Sequence, residues 1–390
     1  MSVKAFLQVV KKHIGSSSLE PLRFVTGNQS ADLDSVISAI GYSYLNYKYD
    51  STVFIPLINI PRQDFSLRRD IKLVLETNAI TEDLLYFIED FKNIAGSRSQ
   101  TEITLVDHCN LQGESLIEYF HNHQIKVTGI IDHHADENVF LDANPRTIKT
   151  CGSCSSLVFN HWSSKFENLD VFKQNSGEIV KLFTAPLLID TNNMSDKVEE
   201  DDRVALQLYK QVLQQEVTLA SFDEHFTNYH QTIKRAKKNL DGFKVDQVLR
   251  KDYKQFKFGG INIGFSSIGK SAEWLFKSYS NEEILSGLNN VIDFFHLDMV
   301  IATPSYTDKQ NQYRREFIVA YPETSQFEEL GTLEPRCSTL ALDKNVYNVE
   351  SFEAKLDELN KSITVRVWNQ TNLAASRKQI VPAVKDILDK

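Results

Sequence analysis

Carboxylates recur at four places in the first half of the chain, each at the end of an apolar run. Asp32 and Asp34 stand two residues apart in GNQSADLDS (27–35), Asp107 closes LVDH, Asp132-His133-His134 closes GIIDHH, and Asp190 follows APLLI. Taken singly, each has an ordinary reading. Asp32 suits a helix N-cap, Asp107 a strand end, and His133 a structural histidine. Taken together, carboxylates gathered at one place repel one another and require cations. A set of oxygens with imidazole suits Mg²⁺, Mn²⁺ or Co²⁺.

The elements that would gather them are legible as apolar periodicity. Strands are expected over 22–28, 52–58, 102–108 and 126–134. Between them fall helices starting at Leu33 and over 68–78 and 115–123, followed by helices near 153–167 and 177–190. Such alternation predicts an α/β fold with a parallel sheet. In open parallel sheets the strand carboxyl ends line one crevice, where ligands bind. The stretch 199–226 is charged and helical and reads as a linker. Beyond it come strands over 261–267, 297–303 and 315–321 and helices near 281–295 and 350–361, a smaller α+β domain. The expected division is 1–205, a linker helix over 206–225, and 226–390.

Composition bounds the function. Over 390 residues, 43 Lys+Arg against 52 Asp+Glu leave a formal charge of −9, which disfavours a general nucleic-acid binder. Hydrophobic residues at 42% and charged ones at 24% exclude a mostly disordered chain. No apolar run approaches the ~20 residues of a membrane span. The first residues are too polar for a secretory leader, although they would pass as a weak amphipathic targeting helix. Four cysteines form no disulfide framework and suit a reducing compartment. The expectation is a cytoplasmic monomer, with the mitochondrial matrix as the second choice.

The order GNQSADLDS, LVDH, GIIDHH, LLIDT resembles the DHH phosphoesterase superfamily, named for its Asp-His-His motif. The match is closest to the branch of family II inorganic pyrophosphatases, prune-like proteins and fungal-type cytosolic exopolyphosphatases. KDYKQF (251–256) and SRKQIVP (376–382) resemble the two phosphate-binding motifs of that branch's second domain, so the likeness covers roughly residues 22–385. It implies a parallel-sheet DHH domain, a smaller α+β domain and an active site in the cleft between them. It also implies two divalent cations, Mg²⁺ or Mn²⁺, with Co²⁺ as an alternative. Asp32 and Asp34 would bind one metal each, Asp107 and Asp190 would bridge both, and His133 would ligate the second. Asp132 would orient His133, and His134 would face the substrate phosphate. Lys254, Arg377 and Lys378 would hold phosphate oxygens. The implied reaction is hydrolysis of the terminal phosphoanhydride bond of inorganic polyphosphate by a metal-activated water, with release of orthophosphate.

One departure separates subfamilies. Pyrophosphatases of this branch carry a His four residues before the first Asp, where this chain has Asn28. That substitution, with the basic run Arg62, Arg68 and Arg69 in IPRQDFSLRRD, resembles the exopolyphosphatase pattern. Arg146, Lys149, Arg314 and Arg315 are further cations that a long polyanion could use. The rivals are an inorganic pyrophosphatase, a prune-like phosphodiesterase or scaffold, a RecJ-type nuclease, and a polyphosphate-binding module without catalysis. Cys151-Gly-Ser-Cys154 has the spacing of a redox or zinc motif but lacks a second half. It also opens a helix, whose free N–H groups can receive an anion.

Overall fold

The computed structural model describes residues 1–15, 21–96, 101–214, 221–322, 340–343 and 350–388. The chain divides into two compact units, Met1–Asn239 and Leu240–Lys390.

In the first unit, strands β1 (Leu22–Thr26), β2 (Ile55–Ile58), β3 (Tyr86–Phe87), β4 (Thr101–Val106), β5 (Ile125–Asp132) and β6 (Arg146–Ile148) form a sheet in the order β3-β2-β1-β4-β5-β6. Every pairing is parallel. The central strands are buried along nearly their whole length, so they read as continuous apolar runs rather than alternations. β3 and β6 are edge strands of two and three residues, too short to carry a period. The Leu33–Asp50 helix is buried along almost its entire first three turns and packs on the helices Cys154–Ser163 and Gly177–Asp190. Gly27 lets β1 meet this helix closely, since a Cβ there would lie 2.4 Å from that of Ser35. The amphipathic Val3–Ile14 helix turns Val3, Phe6, Leu7 and Val10 into the core, with Phe6 against Tyr44 and Tyr47.

The stretch read as one charged helix contains two described helices, Glu200–Leu213 and Phe222–Lys238, both in the first unit, with 215–220 outside the described residues.

In the second unit, β7 (Tyr253–Phe258), β8 (Ile261–Ile268), β9 (Met299–Thr307), β10 (Tyr313–Pro322), β11 (Leu342–Asp343) and β12 (Ile363–Gln370) form a mixed sheet, ordered β11-β12-β10-β9-β8-β7. Only β8 and β9 pair in parallel among the described strands. The Arg377–Leu388 helix buries Ile380 and Val384 against one face of that sheet, beside Phe265, Phe317 and Trp368.

Candidate functional site

Three of the motif carboxylates follow strand ends of the first unit. Asp32 caps the Leu33–Asp50 helix after β1, its carboxylate accepting the Ser35 N–H at 3.0 Å. Asp107 follows β4, and Asp132 is the last residue of β5. Asp190 ends the Gly177–Asp190 helix instead, so it reaches the group from a helix C-terminus. Asp107 holds a left-handed backbone (φ 60°), a conformation that surrounding structure must enforce. Its N–H donates to the Ile131 carbonyl at 3.0 Å and to the Cys154 sulfur at 3.2 Å.

Asp107, His133 and His134 each present a ligand atom within 4.8 Å of the others. His133 Nε2 lies 3.1 Å from Asp107 Oδ1, and His134 Nδ1 lies 3.7 Å from the same oxygen. The other Asp107 oxygen accepts from Asn28 Nδ2 at 2.7 Å and Ser35 Oγ at 2.6 Å. Asp34 is fully enclosed. It accepts from the Cys154 N–H at 2.6 Å, the Ser155 N–H at 2.8 Å and Ser153 Oγ at 2.9 Å. The anion received by the CGSCSS helix start is thus the protein's own Asp34.

The orienting role expected of Asp132 falls on a different ring. Asp132 Oδ1 accepts His134 Nδ1–H at 2.7 Å and the backbone N–H of His133 at 2.8 Å. The His133 ring is set by the Cys151 carbonyl, 2.9 Å from Nδ1, which turns Nε2 toward Asp107. The two rings stand edge to face with centroids 4.6 Å apart, and Asp107 Oδ1 lies near both.

Burial and mutual charge set the protonation of the group. Burial, reinforced by the charge of Asp107, pushes the Asp34 carboxyl up to about 7, against the pull of His133 and the Cys154 N–H. Burial together with Asp34 and Asp32 pushes Asp190 well above the usual carboxylate range, opposed by Lys237 and His133. Asp107 also pays the burial penalty, but hydrogen bonding and charge from His133 and His134 hold it below that range. Burial would lower His133; the Asp107 hydrogen bond and the charges of Asp107, Asp34 and Asp190 overcome it and push the imidazole up to about 10. Asp132 Oδ2 and Asp190 Oδ2 are buried without a hydrogen-bond partner. Buried carboxylate oxygens without a partner are expensive unless something cationic meets them. The donor set therefore fits divalent cations.

Asn28 belongs to this group, although its amide donates to Asp107 while its carbonyl accepts from Ser30 N–H (2.9 Å) and Ser30 Oγ (2.6 Å). The expected basic surface of IPRQDFSLRRD is not uniform. Arg68 is buried, and its guanidinium donates to the carbonyls of Ser30 (2.7 Å) and Ala31 (3.4 Å). It braces the turn in which Ala31 has φ 41°, just before Asp32. Arg62 pairs with Asp90 at 2.7 Å and lies over the Phe87 ring. Arg146 pairs with Asp136, Lys149 with Asp201, Arg314 with Asp308, and Arg315 donates to the Leu373 carbonyl. Cys151 and Cys154 are buried free thiols. Cys154 donates to the Ile131 carbonyl, which is not the arrangement of a redox pair.

In the second unit, two motifs separated by 125 residues meet. Arg377, at the start of the last helix, donates to Asp252 Oδ1 at 2.7 Å and to its carbonyl at 3.2 Å. Lys254 stands two residues along, half-buried on β7 opposite Phe265, and Lys378 is exposed beside Arg377. The residues that sequence reasoning passed over are Ser35, Ser153, Ser155 and the Cys151 carbonyl, which hold the ligands. Serines and a carbonyl carry no such signal outside their spatial context.

The family comparisons agree with this layout. The model of the DHH family N-terminal domain matches residues 23–185, and that of the DHHA2 domain matches 231–387. A candidate exopolyphosphatase of Schizosaccharomyces pombe is 32% identical over 95% of this chain and 92% of its own. The Rattus norvegicus protein named Exopolyphosphatase PRUNE1 is 24% identical over 94% of this chain and 76% of its own. A candidate manganese-dependent inorganic pyrophosphatase of Clostridium acetobutylicum is 25% identical over 64% of this chain and 71% of its own. The crystal structure of a candidate family II inorganic pyrophosphatase from Methanococcus jannaschii shares the fold, with a TM-score of 0.59 at 17% identity, over 95% of this chain and all of that one. With one domain model on each side and a 32%-identical relative along nearly its whole length, the chain belongs to the DHH family and carries a DHHA2 domain after the N-terminal one.

Proposed function

We propose that the chain is a metal-dependent exopolyphosphatase, hydrolysing the terminal phosphoanhydride bond of inorganic polyphosphate and releasing orthophosphate. The observation that carries the metal-dependent hydrolase reading is the grouping of Asp107, His133 and His134 within 4.8 Å of one another, with the buried Asp34 and Asp190 close enough for the charge of the first to push up the carboxyl of the second. In this reading Asp32, Asp34, Asp107, His133 and Asp190 hold two divalent cations, with Asp107 and Asp190 shared. Divalent cations bound there would supply a water of lowered pKa and offset charge on the phosphate oxygens. His134 is the proton-bearing group that faces phosphate. Its Nδ1–H to Asp132 leaves Nε2 for the substrate. Lys254, Arg377 and Lys378 bind phosphate oxygens, with Arg377 pre-set by its bond to Asp252.

Two observations favour polyphosphate over pyrophosphate. The 32%-identical relative is named for the former activity, and the position of the pyrophosphatase imidazole is held by Asn28, which turns its amide N–H₂ to Asp107. An inorganic pyrophosphatase is the second reading, supported by the manganese-dependent relative. Phosphate release from long-chain polyphosphate, triphosphate and pyrophosphate, each with Mg²⁺, with Mn²⁺ and with chelator, separates them. Faster turnover of pyrophosphate than of either longer substrate overturns the first reading, and release that survives chelation overturns both.

A further inference from the structure

The Cys151–Ser156 segment is neither a redox pair nor a zinc half-site, yet it touches three of the residues assigned above to the metals. The Cys151 carbonyl takes His133 Nδ1–H at 2.9 Å. Ser153 Oγ and the N–H groups of Cys154 and Ser155 hold both oxygens of Asp34. Cys154 sulfur receives the N–H of Asp107, whose backbone is left-handed. The segment is a platform under the ligand set, and something must in turn fix the platform.

That something is the carboxylate of Asp202, from the first turn of the Glu200–Leu213 helix and fully buried. Its Oδ1 accepts from Cys151 Sγ at 3.1 Å, the Ser153 N–H at 3.2 Å and Ser156 Oγ at 2.8 Å. Its Oδ2 accepts from the Gly152 N–H at 2.7 Å and, within its own helix cap, the Glu199 N–H at 2.9 Å. Every partner is a donor, so only an acceptor-only group satisfies them all. The approach is too close for a side chain at position 152. A Cβ on Gly152 would lie 2.7 Å from Asp202 Oδ2 and 2.6 Å from Thr191 Cγ2, next to Asp190.

We infer that Asp202 is a positioning residue, its carboxylate locking the 151–156 platform so that Asp34, His133 and Asp107 are held in ligating geometry. This rests on the reading of those three as metal ligands. Asp202→Asn keeps the volume but turns an N–H₂ toward N–H donors, so the platform must shift. Outer partners of metal ligands are typically worth about ten- to a hundredfold in metal affinity.

The test is Mn²⁺ titration of the full chain by calorimetry, with the Mn²⁺ electron paramagnetic resonance spectrum as a second readout, on wild type, Asp202→Asn and Asp201→Asn. Asp201 is the neighbour on the same helix turn, and its carboxylate pairs with Lys149 and Asn160 rather than bonding to residues 151–156. Asp202→Asn should raise the Mn²⁺ Kd by about tenfold or more and alter the spectrum, while Asp201→Asn stays within about twofold of wild type. A folded Asp202→Asn with wild-type Kd and spectrum overturns the inference, as does an equal loss in Asp201→Asn. Should Asp202→Asn not fold, Ser156→Ala, which deletes one donor to Asp202, must still raise the Kd, and an unchanged value overturns the inference. Wild type that binds Mn²⁺ yet releases no phosphate from any polyphosphate or pyrophosphate refutes the proposed function alone. Wild type that binds no divalent cation refutes both.

Discussion

Raising the pH of the metal-free protein should weaken its first unit, and a divalent cation should reverse the loss. His133 is pushed from its ordinary 6.5 up to about 10, and Asp34 from 3.8 up to about 7. Both folded-state values lie above the unfolded ones. The stability each contributes is therefore fully present below its unfolded value and lost as pH rises through its folded value. His161 acts in the opposite sense, since burial holds it down at about 4, but its contribution is complete above 6.5. The informative window is thus pH ~7 to ~9, where His133 titrates, Asp34 adds the end of its titration, and Asp190, also pushed up, acts in the same sense. At up to about 1.4 kcal/mol per pH unit and proton, on the order of 3 kcal/mol should go across that window. Asp34 and His133 interact through Asp107, so their contributions are not summed. Cation binding must expel the His133 proton, which makes the apparent affinity about tenfold tighter for each pH unit gained. Urea melts with chelator and with Mn²⁺, followed by a probe in the first unit, give the stabilities. Calorimetry in two buffers of different ionisation enthalpy counts the protons. Metal-free stability that is flat or rising from pH ~7 to ~9 refutes the reasoning, and so does cation binding without proton release at pH ~7.

Asp107→Ala should abolish turnover and also destabilise the metal-free chain, because His133, Asn28 and Ser35 lose their acceptor. Residual activity above about a tenth, a barrier change of only about 1.4 kcal/mol, would contradict a shared ligand. Asp190→Asn should likewise abolish turnover but stabilise the metal-free chain at pH ~8, since it removes a charge that burial, Asp34 and Asp32 disfavour; a lower melting temperature in chelator would show otherwise. Arg377→Ala should lower kcat/KM on polyphosphate by about ten- to a hundredfold, the worth of a charge-assisted hydrogen bond, with the metal Kd unmoved. Unchanged kinetics on every chain length would leave SRKQIVP a structural motif. Asn28→His should shift metal preference toward Mn²⁺ and Co²⁺ and raise pyrophosphate turnover relative to long-chain turnover. Parallel Mg²⁺ and Mn²⁺ titrations on both substrates read it, and a fixed preference would remove Asn28 from the metal site.

Much of the first unit was legible because its strands are buried on both faces and end abruptly in polar residues. LRFVT, TEITLV and IKVTGIID are short apolar runs with little room for another reading, and the helix ending at Asp190 keeps its apolar character to the last turn. β3 and β6 were not legible, because pairing with a neighbour rather than sequence period makes them strands. KDYKQF resembles a phosphate motif, and its last four residues open an edge strand paired to β8 whose burial shows no alternation to read. ITVRVWNQ alternates in burial over its first five residues, a period legible in the sequence as β12.

The candidate site divides along the same line. Asp32, Asp34, Asp107, Asp132, His133, His134 and Asp190 are visible in sequence because ionisable groups at element ends stand out against apolar runs. What orients them is invisible, because it consists of groups every protein has in abundance. Arg68 illustrates the difference. In sequence it is one of three arginines suited to a polyanion, but in the fold its guanidinium is buried against the carbonyls that precede Asp32. Arg68→Lys keeps the charge and should loosen the turn through lost fork geometry. The same reasoning explains CGSCSS. Its spacing suggested chemistry at sulfur, while its contribution comes from two backbone N–H groups and the Ser153 hydroxyl, which reach Asp34 across about 120 residues of chain, and from the Cys151 carbonyl, which sets His133. A sequence names the residues that can react; which of them are held in reacting geometry is decided by these neutral partners, and only the fold brings them together.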